Sequence, residues 1–238
     1  MQANLPAYFQ ELQKQPYITN GSRKIHAVAL TFDADMTPRM LKMLHMGKVK
    51  SWYDERIIAT LKSNDIPATI FMTGMWAETY PEALENFVSD PNFEIENHSY
   101  DHAAFKVPCY GLGMTENPQD EVVKAENVLM KIGGIQPRFF RFPGGCFNEK
   151  DLELVHSLGL VPIQWDVISG DAYLKKAKFV IKQVLSQVQS GSIVVFHLNG
   201  APNAPATADA LPVIIQKLKS QGYSFMTLDQ LLQASLKS

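Results

Sequence analysis

The chain has 238 residues, enough for one large domain or two small ones with a sizeable hydrophobic core. Hydrophobic residues make up 46% of it and charged residues 19%, a composition that excludes a disordered, collagen-like or coiled-coil protein. The 22 Lys and Arg are balanced by 24 Asp and Glu, so no basic field favours a nucleic-acid partner, and no apolar run approaches the roughly 18 residues that would span a membrane.

Seven short runs rich in β-branched and aromatic residues predict strands buried on both faces, as in a parallel sheet. In chain order they are residues 25–32, 67–73, 93–98, 138–143, 160–166, 192–198 and 223–228. Apolar residues at helical spacing predict helices over 122–132, 179–188 and 211–218, and Pro81 suits the first turn of another helix over 81–88. This alternation predicts an α/β protein, and seven strands favour a (β/α) barrel over a two-sided open sheet. We expect one domain over residues 25–238, after an N-terminal extension of residues 1–24.

Ionisable side chains lie at or just beyond the carboxyl ends of five predicted strands. They are Asp33 and Asp35, His98 and His102, Arg141, Asp166 and Asp171, and His197. In a parallel barrel these strand ends converge on one face, where active sites are built. One such residue would carry little weight, but five strands together predict a single functional site.

Two of these groups suggest a metal centre. His98 and His102 are four residues apart and could share a metal from one face of a helical turn, although this spacing alone is more typical of ordinary surface or core histidines. Asp33 and Asp35 offer a carboxylate, and two carboxylates so close repel each other unless a cation or hydrogen bonds hold them. Three protein ligands would leave positions open for water and substrate, as in a catalytic site.

Five short motifs in a fixed order resemble those of the polysaccharide deacetylases, carbohydrate esterase family four. Residues 30–33 read Leu-Thr-Phe-Asp, 66–71 Ile-Pro-Ala-Thr-Ile-Phe, 97–102 Asn-His-Ser-Tyr-Asp-His and 141–145 Arg-Phe-Pro-Gly-Gly; Trp165-Asp166, Asp171 and His197 complete the set. The resemblance extends from about residue 27 to 231. It implies a distorted (β/α)7 barrel related to the TIM barrel, and a metal-dependent removal of acetyl groups from N-acetylated sugars.

The resemblance also implies a role for each site residue. Asp35, His98 and His102 would hold one divalent metal, most simply Zn²⁺, with Co²⁺, Ni²⁺ and Mn²⁺ as alternatives. The catalytic groups would be Asp33 as base, His197 as acid, Asp171 to orient His197, and Arg141 to pair with Asp33. The backbone N–H of Gly144 would stabilise an oxyanion, and Trp165 and Tyr173 would contact the sugar.

The motifs depart from the family pattern at three places. Ala34 separates two aspartates that are usually adjacent, so the division of roles between Asp33 and Asp35 is an expectation. Asp171 is followed by Ala172-Tyr173 where the family usually has Trp, and His197 is followed by Leu198-Asn199. An O-acetyl esterase of the acetylxylan type, a small-amide hydrolase and a degenerate, non-catalytic sugar- or metal-binding barrel therefore remain alternatives. The polymer could be peptidoglycan or a chitin-like oligomer.

Three further features concern the surroundings of this site. Cys109 and Cys146 follow neighbouring predicted strands and should meet on the catalytic face, either as a disulfide or as two separate thiols. The first residues lack the basic and apolar regions of a signal peptide, which fits a cytosolic protein or a mature form; a cell-wall substrate favours a periplasmic or secreted one. The segment 36–53 is long enough to be a lid or a partner surface.

Overall fold

The computed structural model describes residues 6–238, and its centre is a curled parallel sheet. The strands are β1 (Ala27–Ala34), β2 (Ala68–Met72), β3 (Phe93–Asn97), β4 (Phe139–Phe140), β5 (Val161–Pro162), β6 (Val167–Ile168), β7 (Ser192–His197) and β8 (Ser224–Phe225). They follow the order β5-β4-β3-β2-β1-β7-β6, with β8 beside the start of β1. Every pairing between these strands is parallel. The sheet therefore curls into an open barrel with β5 and β6 at its two ends, which confirms the predicted fold class.

Helices connect the strands and cover the outside of the sheet. They are α1 (Ala7–Leu12), α2 (Pro38–His45), α3 (Glu55–Ser63), α4 (Gly74–Thr79), α5 (Pro81–Val88), α6 (Pro118–Gly133), α7 (Glu149–Ser157), α8 (Ala177–Leu185), α9 (Thr207–Ser220) and α10 (Leu228–Ser235), with a 3₁₀ turn at Pro143–Gly145. Gly134 ends α6 in the left-handed conformation, at φ 66°, which glycine adopts readily at the end of a helix. Among the described helices, none is both long and apolar enough to cross a membrane.

Alternation along β1 separates the outer core from the interior of the barrel. Val28, Leu30 and Phe32 pack in the larger hydrophobic cluster under the helices, whereas Ala29 belongs to a smaller cluster on the other face. Successive side chains of a strand point to opposite faces, so Asp33 shares the inner face with Ala29. The same alternation that builds the core therefore delivers a carboxylate to the mouth of the barrel.

The prediction of one strand over residues 160–166 is wrong. The chain leaves the sheet after β5 and enters again as β6, so the structure has eight strands where seven were predicted. Asp166, expected at a carboxyl end, lies instead at the start of β6, where it accepts hydrogen bonds from the Ile193 amide and the Ser192 hydroxyl. It also pairs with Arg23 at 2.8 Å. Asp166 therefore lies at the opposite end of the sheet from the predicted site.

The segments before β1 and after it contact the barrel closely. Phe9 of α1 packs against Phe139, at 5.8 Å between ring centres, and Ile18 pairs with Ile163 beyond β5. The boundary of the N-terminal extension at residue 24 stays a prediction. In the segment 36–53, Trp52 is buried, its amide donates to the Tyr80 hydroxyl at 2.8 Å, and its carbonyl accepts from the Trp76 indole at 3.1 Å. The segment is thus anchored at its end, and its role as a lid or a partner surface also stays a prediction.

Candidate active site

The carboxyl ends of the strands bring the predicted site residues together. Asp33 lies opposite His197 in the register of β1 and β7, and His98 follows directly after β3. Arg141 follows β4, and Asp171 comes three residues after β6. Five strands therefore contribute to one site, as predicted, but Asp171 rather than Asp166 is the group that comes from this part of the chain.

Asp35, His98 and His102 converge with the spacing of metal ligands. The Asp35 Oδ1 atom lies 3.4 Å from Nε2 of His98 and 3.4 Å from Nε2 of His102. One ligand atom from each residue lies within 4.8 Å of the others. In a tetrahedral zinc site with bonds of about 2.0–2.1 Å, ligand atoms lie about 3.3–3.4 Å apart. The three side chains therefore match a site for such an ion.

The hydrogen bonding of these three residues also fits a cation. Nδ1 of His98 lies 2.8 Å from the Arg141 carbonyl, so it carries the proton and leaves the Nε2 lone pair directed at Asp35. Within residues 6–238, neither His98 Nε2 nor Asp35 Oδ1 has a hydrogen-bond partner, although both are buried. Burial lowers the pKa of His102 to about 4, which keeps this imidazole in the neutral form that binds metals.

The two histidines are not on a helical turn, so that part of the prediction is wrong. Residues 98–102 form an irregular loop in which Ser99 and His102 have left-handed φ angles of 69° and 62°. Asn97 Oδ1 accepts from the Ser99 amide, and the Glu121 carboxylate accepts from the Tyr100 and Asp101 amides. These side chains hold a loop conformation that no short-range pattern in the sequence indicates.

Asp33 is held by a buried arginine. Nη1 of Arg141 donates to Asp33 Oδ1 at 2.7 Å and contacts Thr31 Oγ1 at 2.9 Å. Arg141 is fully buried, its guanidinium lies 3.9 Å from the centre of the Phe71 ring, and burial lowers its pKa against the opposing charge of Asp33. The other Asp33 oxygen, Oδ2, lies 3.7 Å from His98 Nε2. One oxygen is therefore fixed by the arginine while the other faces the three candidate ligands.

His197 is oriented by the buried carboxylate of Asp171. Its Nδ1 lies 2.8 Å from Asp171 Oδ1, while Asp171 Oδ2 accepts from the His197 amide and from the Thr207 hydroxyl. The opposite nitrogen, Nε2, points towards Asp35, at 3.8 Å from Oδ2. Burial opposes the charged imidazole, but the charge and hydrogen bond of Asp171 raise the pKa of His197 to about 10. The ring is therefore suited to donate a proton.

A cavity of about 390 Å³ joins these groups. The predicted residues that line it are Asp33, Asp35, His102, Gly144, Trp165, Asp171, Tyr173 and His197. Arg141 and His98 lie behind them, buried. Tyr110, Leu112 and Asn203 also line the cavity, and sequence reasoning did not find them.

Asn199 is a further residue that sequence reasoning noted only as a change in a motif. Its amide group donates to the Asp35 carbonyl at 2.7 Å, and its Oδ1 accepts from the Asp35 amide at 3.2 Å. This pair of bonds fixes the backbone of Asp35 after β1 has ended. Asparagine at this place is therefore a positioning residue for the candidate ligand.

Cys109 and Cys146 form a disulfide in the structure, with their Cα atoms 6.0 Å apart. Of the two alternatives for these residues, the bridge is the one observed. It links the loop after β3 to the chain that follows the 3₁₀ turn at Pro143–Gly145. The two loops meet at the mouth of the barrel, as the strand order predicts.

The expected role of His197 as the acid predicts that replacing Asp171 by Asn lowers kcat/KM by about 100-fold or more, because His197 would lose the partner that orients it. The pKa of His197 should also fall, since Asp171 raises it. A proton donor is active below its pKa, so the alkaline limb of the rate profile should move to lower pH. Rate profiles of both proteins test this, with Asp209→Asn, an exposed carboxylate outside the cavity, as control. An unshifted limb in Asp171→Asn would contradict it.

The sequence and the fold of this chain are similar to those of known proteins. A profile of the family described as polysaccharide deacetylase matches residues 20–163. The peptidoglycan-N-acetylglucosamine deacetylase of Bacillus cereus is 27% identical over 231 residues, covering 95% of this chain and 76% of that protein. The structure of Bacillus subtilis PdaA, a family 4 carbohydrate esterase, aligns with a TM-score of 0.73 and 26% identity over 97% of this chain and 91% of that one.

A protein of the same family that is named a pseudoenzyme also matches. The structure of a CE4 family pseudoenzyme from Bacillus anthracis aligns with a TM-score of 0.74 and 25% identity over 92% of this chain and 69% of that one. Both kinds of relative share the fold of this chain. The match of the family profile covers more than half of the chain, and the chain belongs to the polysaccharide deacetylase family.

Proposed function

We propose that this protein is a metal-dependent hydrolase that removes acetyl groups from the N-acetylated sugars of a polysaccharide. The observation that carries the proposal is the meeting of three groups around one cavity. These groups are the Asp35, His98 and His102 triad, the Asp33–Arg141 pair and the Asp171–His197 pair. A hydrolase of this kind needs a site that polarises the carbonyl group, with a base and an acid within reach of the same bond.

Asp35, His98 and His102 would hold one divalent cation, with Zn²⁺ favoured by the donor set and Co²⁺, Ni²⁺ or Mn²⁺ as alternatives. When bound, the cation supplies Lewis acidity towards the acetyl carbonyl and lowers the pKa of water. Nitrogen and carboxylate donors with one open side suit this use, since the cavity lies directly in front of the triad. The hydrogen bond from His98 to the Arg141 carbonyl would fix the ligand's orientation.

The residues of the chain would move the protons. Asp33 accepts the proton of the attacking water, because Arg141 fixes one of its oxygens and leaves the other facing the triad. His197 donates a proton to the leaving amine, with Asp171 holding its Nδ1. The Gly144 backbone N–H stabilises the oxyanion at the wall of the cavity. Trp165 and Tyr173, which line the same cavity, contact the sugar.

The relatives support the choice of polymer and of compartment. Several of those that match carry names as peptidoglycan deacetylases, so peptidoglycan is the first candidate substrate and chitin-like oligomers the second. The Cys109–Cys146 disulfide supports a periplasmic or secreted protein, because disulfides persist in oxidising compartments. The cytoplasm is the alternative location.

A non-catalytic barrel is the second candidate, and the matching pseudoenzyme structure is the observation that favours it. Against it, the chain retains a base, an acid and a complete candidate triad around the cavity.

Measuring the acetate released from peptidoglycan and from N-acetylglucosamine oligomers separates the deacetylase from the non-catalytic barrel. We expect release by the zinc-loaded protein at a rate well above that of acetyl release from acetylated xylan. Faster release from the xylan would identify an O-acetyl esterase, and no release from peptidoglycan, the oligomers or the xylan would support the non-catalytic barrel.

A further inference from the structure

The side chain of Tyr110 is unusually exposed for an aromatic residue beside a catalytic cavity. It is 88% exposed and yet lines the cavity that contains Asp33, Asp35 and His197. Its backbone has a φ of 47°, in the left-handed region. Tyrosine is enriched at binding interfaces, because its ring combines a large apolar face with a polar tip. The position therefore suggests that a ligand covers this ring.

Tyr110 belongs to a closed loop, residues 105–113, which we call the Tyr110 loop. The loop is pinned at its base, where the Ala104 amide donates to the Gly113 carbonyl and the Thr115 amide donates to the Ala104 carbonyl, both at 2.8 Å. Within it, the side chains of Phe105 and Cys109 are buried. Tyr110 is exposed, and so are residues 106–108 and 111. Away from its base, the loop is therefore anchored through Cys109.

The disulfide attaches this loop to the wall of the cavity. Cys109, next to Tyr110, is bonded to Cys146, which follows the 3₁₀ turn at Pro143–Gly145. A Cβ atom placed on Gly144 would lie 2.6 Å from Cys109 Sγ and 3.2 Å from Tyr110 Cδ2. The loop therefore packs directly on the Gly144 backbone, and only glycine leaves room for the bridge and the tyrosine ring.

Other aromatic residues line the same cavity. Trp165 packs on the next residue of the turn, since a Cβ on Gly145 would lie 2.8 Å from its ring, and Tyr173 is 57% exposed at the rim. Tyr110, Trp165 and Tyr173 thus surround the catalytic groups with apolar ring surface. The C–H faces of a pyranose ring are the part of a sugar that such surfaces cover.

We infer that Tyr110 binds a pyranose ring of the substrate next to the unit that reacts, and that the Cys109–Cys146 disulfide positions it for this contact. This inference rests on the proposed function, since it names a further subsite of the same cavity. Tyr110 is the binding residue. The disulfide acts through it and does not touch the reacting bond.

The inference predicts a loss of substrate binding without a loss of chemistry. Tyr110→Ala should raise KM for a pentamer of N-acetylglucosamine about tenfold, equal to about 1.4 kcal/mol, with kcat changed by less than about twofold. Tyr110→Phe should keep the wild-type KM, because the ring face remains. Cys146→Ser should raise KM in the same direction with unchanged metal content. The double variant Cys146→Ser/Tyr110→Ala should be no worse than Tyr110→Ala alone, because both changes remove one contact.

Calorimetric binding of the pentamer gives a second readout that does not depend on turnover. The Asp33→Asn protein, expected to be inactive, serves as the background, and adding Tyr110→Ala to it should weaken the Kd about tenfold. Tyr17→Ala is the matched control, because Tyr17 is a partly exposed tyrosine that packs on Phe147 outside the cavity.

Wild-type KM and Kd in the Tyr110→Ala proteins, or the same loss in Tyr17→Ala, would overturn the inference. Additive effects of Cys146→Ser and Tyr110→Ala would overturn the role of the disulfide. If the wild type released no acetate, the proposed function would fail, whereas the Kd values would still test Tyr110.

Discussion

Asp33→Asn should lower kcat about 1,000-fold or more, while the protein still binds its metal. The amide keeps the size of the side chain and can still accept a hydrogen bond from Arg141, but it cannot take the proton of the attacking water. Metal content would persist because the candidate triad is formed by Asp35, His98 and His102. Acetate release and metal content, measured on the same preparation, test both parts of this expectation.

Two other aspartates provide the comparison. Asp35→Asn should lose metal affinity first, since its Oδ1 atom is the one that both histidines approach. Asp166→Asn should retain activity, because Asp166 lies at the opposite end of the sheet, paired with Arg23. If Asp33→Asn lost the metal and Asp35→Asn kept it, the two roles would have to be exchanged.

His98→Ala should abolish metal binding, with zinc affinity reduced by at least about 1,000-fold and activity lost with it. Alanine removes one of the three candidate ligand atoms and also the hydrogen bond to the Arg141 carbonyl, which orients the ring. Zinc content after dialysis against a weak chelator measures the effect. His26→Ala is the control, since His26 is exposed at the amino end of β1 and stacks on Tyr223. Unchanged zinc content in His98→Ala would reject the triad as the metal site.

The fold could be predicted from the sequence because its signals are local and repeated. The apolar run of β1 and the helical spacing in α9 each indicate their element without help from the rest of the chain. The break between β5 and β6 could not be predicted. Residues 160–166 have the composition of a strand. Asp166, however, accepts hydrogen bonds from Ser192 and Ile193 at the start of β7, which are far along the chain.

The site was predictable where a residue ends a strand, and less so where a loop places it. Asp33 and His197 follow from strand register alone. The conformation that brings His102 to Asp35 depends on Asn97 and Glu121, whose contacts are tertiary. A disulfide next to Tyr110 holds this residue at the cavity. The sequence did not decide between that disulfide and two separate thiols. A pattern in the sequence indicates which residues are available, whereas these contacts decide which of them meet.

The most direct measurement of the central claim is a zinc titration of the chelated wild-type protein, with bound zinc and acetate release from N-acetylglucosamine oligomers followed in the same samples. We predict that acetate release rises in proportion to bound zinc and stops rising at one ion per chain, and that His98→Ala shows neither. Full acetate release before zinc is added, or a fully loaded wild-type protein that releases no acetate, would contradict the assignment of this cavity as a metal-dependent deacetylase site.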